Sequence, residues 1–100
     1  MIVVLGSVLV QPGKLEQALA LSQAHVQRSR KEPGCIAHAV HIDSENPQRL
    51  VFVERWADQA ALQVHFAVPE SGQFVAALTG LLSEPPEMTV YAAEQLQSGL

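Results

Sequence analysis

Three proline-led breaks, Pro12-Gly13, Pro33-Gly34 and Pro85-Pro86, divide this 100-residue chain into segments with different hydrophobic periods. Proline removes a backbone donor and glycine favours turns, so regular elements stop at such pairs. Ile2 to Val10 is almost wholly apolar and rich in valine, as a strand covered on both faces is. From Lys14 to Lys31, Leu15, Ala18, Leu19, Ser22, Val26 and Ser29 recur at helical spacing, with Glu16, Gln23, Gln27 and Arg30 on the other side. Arg28, Arg30 and Lys31 suit the negative end of that helix's dipole. Cys35 to Asp43 alternates as a strand, Ser44 to Gln48 is a polar turn, and Arg49 to Trp56 is the returning strand. Asp58 is placed to cap a helix from Gln59 to about Val68. Pro69 and Gly72 interrupt it, and a second helical piece runs from about Gln73 to Leu82. Met88 to Glu94 reads as the last strand, and the tail Gln95 to Leu100 frays or lies across a neighbour.

The order β-α-β-β-α-β, with two right-handed crossovers, predicts an α+β fold. It is a ferredoxin-like, four-stranded antiparallel sheet with both helices on one face. Residues 1–100 make a single domain on this reading, long enough for one core. Pairing Asp43 with Arg49 across the hairpin puts Ile36, His38, Val40 and Ile42 on one face with Leu50, Phe52, Glu54 and Trp56. That bulky face meets the helices. Ala37, Ala39, Val51 and Val53 lie opposite, with His41 nearby. This second face is too apolar for water and calls for a partner sheet, most simply an identical one. Composition points the same way, with charged residues at 16% of the chain, against a usual share of about a quarter. A homodimer through the sheet face is therefore expected.

A net charge of -4 with scattered Lys and Arg argues against nucleic acid or an acidic membrane as partner. The sequence has no apolar run of about 18 residues, so no membrane span is expected. The apolar start lacks the positive region of a secretion signal, and the lone Cys35 cannot form an internal disulfide. Both fit a cytoplasmic location. There is no glycine-rich phosphate loop or dinucleotide fingerprint, so no cofactor is expected. The four histidines show no His-x-x-x-His spacing, and His38 and His41 point to opposite faces of one strand. A metal would need side chains of different strands to converge, and none is expected.

Candidate chemistry concentrates between Glu54 and His65, at the end of a buried strand, a turn and the start of a helix. A carboxylate, an indole and an imidazole converging on an apolar space are what a small-molecule site requires. An imidazole titrates near neutrality, so His65 suits a general base. Trp56 would supply a flat wall and an N–H donor. Glu54 on a core-facing position needs a partner. His38 faces it across the hairpin, and Glu54 either orients that ring or anchors a structural network. His25 on the first helix and Tyr91 on the last strand border the same space, as substrate contacts or as packing.

Several of these residues carry a family likeness. Glu32-Pro33-Gly34-Cys35 enters a strand. Val51-Phe52-Val53 ends in Glu54-Arg55-Trp56, followed by Asp58, Ala61-Leu62, His65, Pro69 and Phe74. From about Ile2 to Tyr91 the chain resembles the antibiotic biosynthesis monooxygenase domain. The resemblance implies a dimeric α/β barrel in which two ferredoxin-like sheets pack face to face. It also implies a cofactor-independent monooxygenase that oxidises a small aromatic substrate, a quinol or polycyclic phenol, with dioxygen. Isomerisation of a small keto or lactone metabolite, and ligand binding without catalysis, are the alternatives. Haem-degrading members need a histidine beyond the position of His65, where this chain has Val75, Ala76, Ala77 and Leu78. Haem is therefore not expected. His38 stands where the family often has a tyrosine. In the implied reaction His65 takes a phenolic proton and Trp56 helps to hold the anion.

Overall fold

In the computed structural model, which describes residues 1–99, seven elements follow one another. They are β1 (Ile2–Leu9), α1 (Leu15–Ser29), β2 (Cys35–Asp43), β3 (Asn46–Trp56), α2 (Gln59–Ala67), α3 (Pro69–Thr79) and β4 (Glu87–Ala92). The strands form one antiparallel sheet in the order β2-β3-β1-β4, the expected ferredoxin-like arrangement. Ala18 and Val26 of α1 and Leu78 of α3 pack against Val8, Leu50 and Phe52 on the sheet's inner face. A smaller cluster joins Val4 and Trp56 to Leu62 of α2.

The two proline-glycine pairs form the same turn. The N–H of Lys14 donates to Gln11 O at 3.1 Å and that of Cys35 to Glu32 O at 3.2 Å. Gly13 and Gly34 both sit at φ 81, the third position of a turn with proline second, where only glycine is unstrained. Gly34 has a further constraint, because a Cβ there would come within 2.5 Å of Ala61 Cβ. Its carbonyl accepts the Ala57 N–H at 2.8 Å, so the turn carrying Glu32 is pinned to the approach to α2.

Asp58 caps α2 as expected, its carboxylate accepting the Ala61 N–H at 2.8 Å. The next helix starts earlier than predicted, at Pro69, and Gly72 lies inside it. Proline at the first helical position lacks only a donor that would have no partner there anyway, so it opens a helix instead of interrupting one.

The hairpin pairs His38 with Glu54, Val40 with Phe52 and Ile42 with Leu50, as the alternation requires. At its ends it departs from the simple register. Asp43 pairs with Asn46 and not Arg49, the turn being tightened by Asp43 Oδ1 accepting the Glu45 N–H at 2.9 Å. A second irregularity between Cys35 and Ala37 takes Ile36 out of the ladder. Ile36 and Ile42 are exposed, so neither joins the core. Ala37, Ala39, Val51 and Val53 share the outer face with Val3 and Leu5. β4 ends two residues before the expected Glu94, and residues 93–99 form no regular element. Leu100, the end of the expected tail, lies outside the described residues. Among the described residues no helix is long and apolar enough to cross a membrane.

Candidate functional site

Helix α1 buries a single stripe, Ala18, Ser22, His25, Val26 and Ser29. The Ser22 and Ser29 hydroxyls donate to carbonyls one turn back, of Ala18 and His25, at 2.7 Å each, so both serines are satisfied locally. His25 stacks on Phe74 of α3, with ring centroids 4.0 Å apart and 7° between planes. Arg28 Nη2 lies 2.7 Å from His25 Nδ1. A guanidinium only donates, so Nδ1 is the bare nitrogen and the neutral ring carries its proton on Nε2. Burial pushes the His25 pKa down to about 3, helped by the neighbouring His38, Arg28 and His65 and opposed by Glu54.

The β2–β3 register sets His38 directly opposite Glu54. His38 is 2% exposed, and its Nε2 lies 3.3 Å from Glu54 Oε1. That is ion-pair distance, but the geometry is not that of a hydrogen bond, and neither ring nitrogen has a hydrogen-bond partner. Residues two apart on a strand share a face, so Trp56 lies beside Glu54 and its Nε1–H donates to the same Oε1 at 2.9 Å. Burial alone would raise the Glu54 pKa. The His38 ring beside it, the Trp56 N–H and the charge of His65 outweigh it and hold the carboxyl below its usual range.

Leu62 and His65, three apart, form the buried face of α2. His65 Nδ1 lies 2.5 Å from Glu32 Oε1, and its Nε2 lies 4.0 Å from Glu54 Oε1. A carboxylate only accepts, so Glu32 fixes the Nδ1–H tautomer and leaves the Nε2 lone pair free. The centroids of His25, His38 and His65 form a near-equilateral triangle with sides of 5.3, 5.3 and 5.6 Å.

A cavity of about 330 Å³ opens beside this cluster, with His25, Glu54 and His65 on its wall. Phe52, Phe74, Leu78 and Met88 give it apolar sides. Ser71 of α3 lines it too, and its buried Oγ has no hydrogen-bond partner. The volume is that of a small aromatic ligand, at the low end for such pockets.

The sequence-predicted residues His25, His38, Glu54, Trp56 and His65 are thus brought together. Trp56 is fully buried behind Glu54, with its N–H directed to that carboxylate and no part in the cavity lining. Tyr91 pairs with Val3 on the outer face, half exposed and away from the cluster. His41 is exposed on that same face. No metal was expected from the sequence, yet the rings of His25, His38 and His65 come close, one nitrogen from each lying within 4.8 Å of the others. Sequence reasoning gave Glu32, Arg28 and Ser71 no part in the site. A carboxylate immediately before Pro33-Gly34, held by a rigid turn, was the available signal for Glu32.

The sequence profile of the antibiotic biosynthesis monooxygenase family matches residues 1–77. The chain belongs to this family. An uncharacterised protein of Synechocystis, sll1783, is 38% identical over 97 residues, and the chain spans 97% of its own length but 66% of that relative's. YcnE of Bacillus subtilis, which carries a monooxygenase name, is 34% identical over 85 residues, covering 85% of this chain and 90% of YcnE. A crystal structure of an antibiotic biosynthesis monooxygenase superposes with a TM-score of 0.87 at 26% identity, over 95% of this chain and 100% of that one. Rv0793 from Mycobacterium tuberculosis gives 0.89 at 26%, covering 97% and 98%. The family and these names support a general monooxygenase-like role.

Proposed function

We propose that the cavity binds an electron-rich aromatic, a quinol or polycyclic phenol, and that the protein oxidises it with dioxygen and no bound cofactor. The observation that carries this reading is His65, held by Glu32 at Nδ1 with its other nitrogen bare beside an apolar cavity. His65 Nε2 takes the phenolic proton, and Glu32 and Glu54 stabilise the imidazolium that results. The His25 N–H and the Ser71 hydroxyl are donors on the cavity wall for the phenolate oxygen. The electron-rich phenolate passes one electron to dioxygen, and the two radicals recombine into a carbon–oxygen bond. The carbon bearing the new hydroperoxide then loses its proton as the O–O bond breaks. Water leaves, and one oxygen stays as a carbonyl. The protein's part is to bind, deprotonate and exclude bulk water.

The single domain is read as one half of a cytoplasmic homodimer. Val3, Leu5, Ala39, Val51 and Val53 give the outer sheet face its apolar character, and a second copy of that face would cover it.

The test is oxygen uptake by metal-free protein against naphthoquinols, anthrones and catechols, with His65→Ala alongside. Uptake above spontaneous autoxidation that falls to that background in His65→Ala supports the reading. Uptake unchanged in the variant removes His65 as base. Oxygen-independent proton exchange on a keto or lactone metabolite would transfer the site to isomerisation.

A further inference from the structure

We propose that His25, His38 and His65 bind one divalent transition-metal ion of the kind that imidazole prefers, Zn2+ or a first-row neighbour. The proposal adds to the oxygenase reading and in one respect rests on it. An ion on His65 Nε2 takes the lone pair that the base needs, so metal occupancy and proton abstraction exclude each other.

The geometry points to one ion shared by three rings. Tetrahedral ligation at a metal–nitrogen distance of ~2.05 Å puts imidazole centroids about 5.2 Å apart. The three rings here are 5.3, 5.3 and 5.6 Å apart. Their facing nitrogens spread to 4.8 Å, wider than the ~3.4 Å of a filled tetrahedral site. Ligation therefore asks the rings to turn in place and not to travel.

His38 supplies a separate observation. It is buried at 2% exposure with no hydrogen bond to either ring nitrogen, Nε2 having only the 3.3 Å approach of Glu54 Oε1, which is costly for a polar ring inside a protein. An ion would satisfy one of them. Glu32 already accepts from His65 Nδ1 at 2.5 Å, the outer-shell arrangement that orients a ligating imidazole. Glu54, with Oε1 3.3 Å from His38 Nε2 and 4.0 Å from His65 Nε2, would supply a fourth, anionic donor. Three imidazoles and a carboxylate suit Zn2+, Cu2+, Ni2+ or Co2+ and disfavour Mg2+ and Ca2+.

Arg28 works against the ion. By donating to His25 Nδ1 it keeps the ring's proton on Nε2. For His25 to ligate through Nε2, that proton must move to Nδ1 and the half-buried guanidinium must swing away. The ion's affinity is thus set by a competing side chain that can be removed without touching a ligand.

The experiment uses tag-free protein stripped with a chelator and titrated with Co2+, read by its visible absorption, then with Zn2+ by calorimetry. One Co2+ per chain with intense four- or five-coordinate bands, displaced by Zn2+, is expected. His25→Ala and His38→Phe should each weaken binding by more than the about 100-fold that losing an outer partner can cost. Arg28→Gln, which gives His25 Nδ1–H an acceptor, should tighten it about tenfold. His41→Ala, on the outer face, should leave it unchanged. Circular dichroism identifies any variant that has not folded, and Arg28→Gln, which leaves all three rings in place, then decides the matter alone. No saturable Co2+ spectrum, binding indifferent to the His25, His38 and Arg28 changes, or loss in His41→Ala overturns the site. Binding without oxygen uptake on any quinol upholds the site and removes the oxygenase reading. Uptake that persists at saturating Zn2+ overturns the mutual exclusion.

Discussion

Replacing Glu32 by Gln tests the base assignment at the residue that positions it. Glu32 Oε1 lies 2.5 Å from His65 Nδ1, with side-chain exposures of 13% and 3%. With charge centres ~4 Å apart and an effective dielectric constant near 20, the imidazolium–carboxylate attraction is about 4 kcal/mol. Solvent at the Glu32 edge weakens it, and the amide oxygen of Gln still accepts the Nδ1–H. About 2 kcal/mol of charge stabilisation is then lost from the transition state, roughly a 30-fold fall in kcat. The Gln amide keeps the hydrogen bond to Nδ1 in the ground state, so KM should stay within about twofold. Glu32→Asp should restore part of kcat. Oxygen-electrode kinetics measure the split. Nitrogen-15 NMR of the His65 ring, which distinguishes a bare Nε2 from a bare Nδ1, reports the tautomer without any substrate. A Glu32→Gln enzyme with wild-type kcat, or a wild-type protein whose bare nitrogen is Nδ1, would refute the reasoning.

Gly34→Ala should destabilise the fold by about 2–4 kcal/mol, combining a left-handed backbone with overlap against Ala61. A melting temperature lowered by roughly 10 °C or more would register it. Gly72→Ala, inside α3 with open space around it, should gain about 0.5–1 kcal/mol in the same assay. Val53→Lys, between Leu5 and Ala39 on the outer face, should convert a dimer into monomers by light scattering, and an unchanged mass would locate the interface elsewhere. Acid should weaken the fold through His25. The unfolded ring gains its proton near 6.5 and the folded one near 3, so stability is full above pH 6.5 and declines as pH falls toward 3. The slope approaches at most about 1.4 kcal/mol per pH unit, the value for one proton. Arg28 on the same helix, His38, His65 and Glu54 face the ring. Glu54, its pKa held down, adds loss in the same direction below its usual 4.5. Urea unfolding at pH 7 and pH 5 should show this slope in wild type and a flatter one in His25→Phe.

The strands and first helix were legible because their periods, 2 and 3.6, are local properties of the chain. The pairing of His38 with Glu54 followed from alternation alone. What alternation could not show were the irregularities at the hairpin's ends, which depend on how Asp43 and Asn46 close the turn. Pro69 was misread because a proline that ends one helix and a proline that begins another look alike in sequence. Tyr91 was placed on the wrong face through lack of a register for β4, which only its pairing with β1 supplies. That three histidines border one space was expected, but the close approach of their ring nitrogens was not, for a deeper reason. His25, His38 and His65 come from α1, β2 and α2, so no spacing along the chain encodes their meeting.

Four groups near the cavity could in principle take a proton, and their surroundings separate them. Glu54 is bound at Oε1 by the Trp56 N–H and beset by His38 and His65, so its carboxylate is held in the ionised form and is a weak base. His25 already carries its proton on Nε2 under the Arg28 guanidinium, and burial beside two other imidazoles opposes a second. It is a donor. His38 is buried and absent from the cavity lining. Among these groups on the cavity wall, only His65 joins a bare nitrogen to a carboxylate able to balance the charge it gains. The same elimination explains why an ion and the base must compete. The lone pairs an ion requires are those of the three rings, and the only one of them free to act on a substrate belongs to His65.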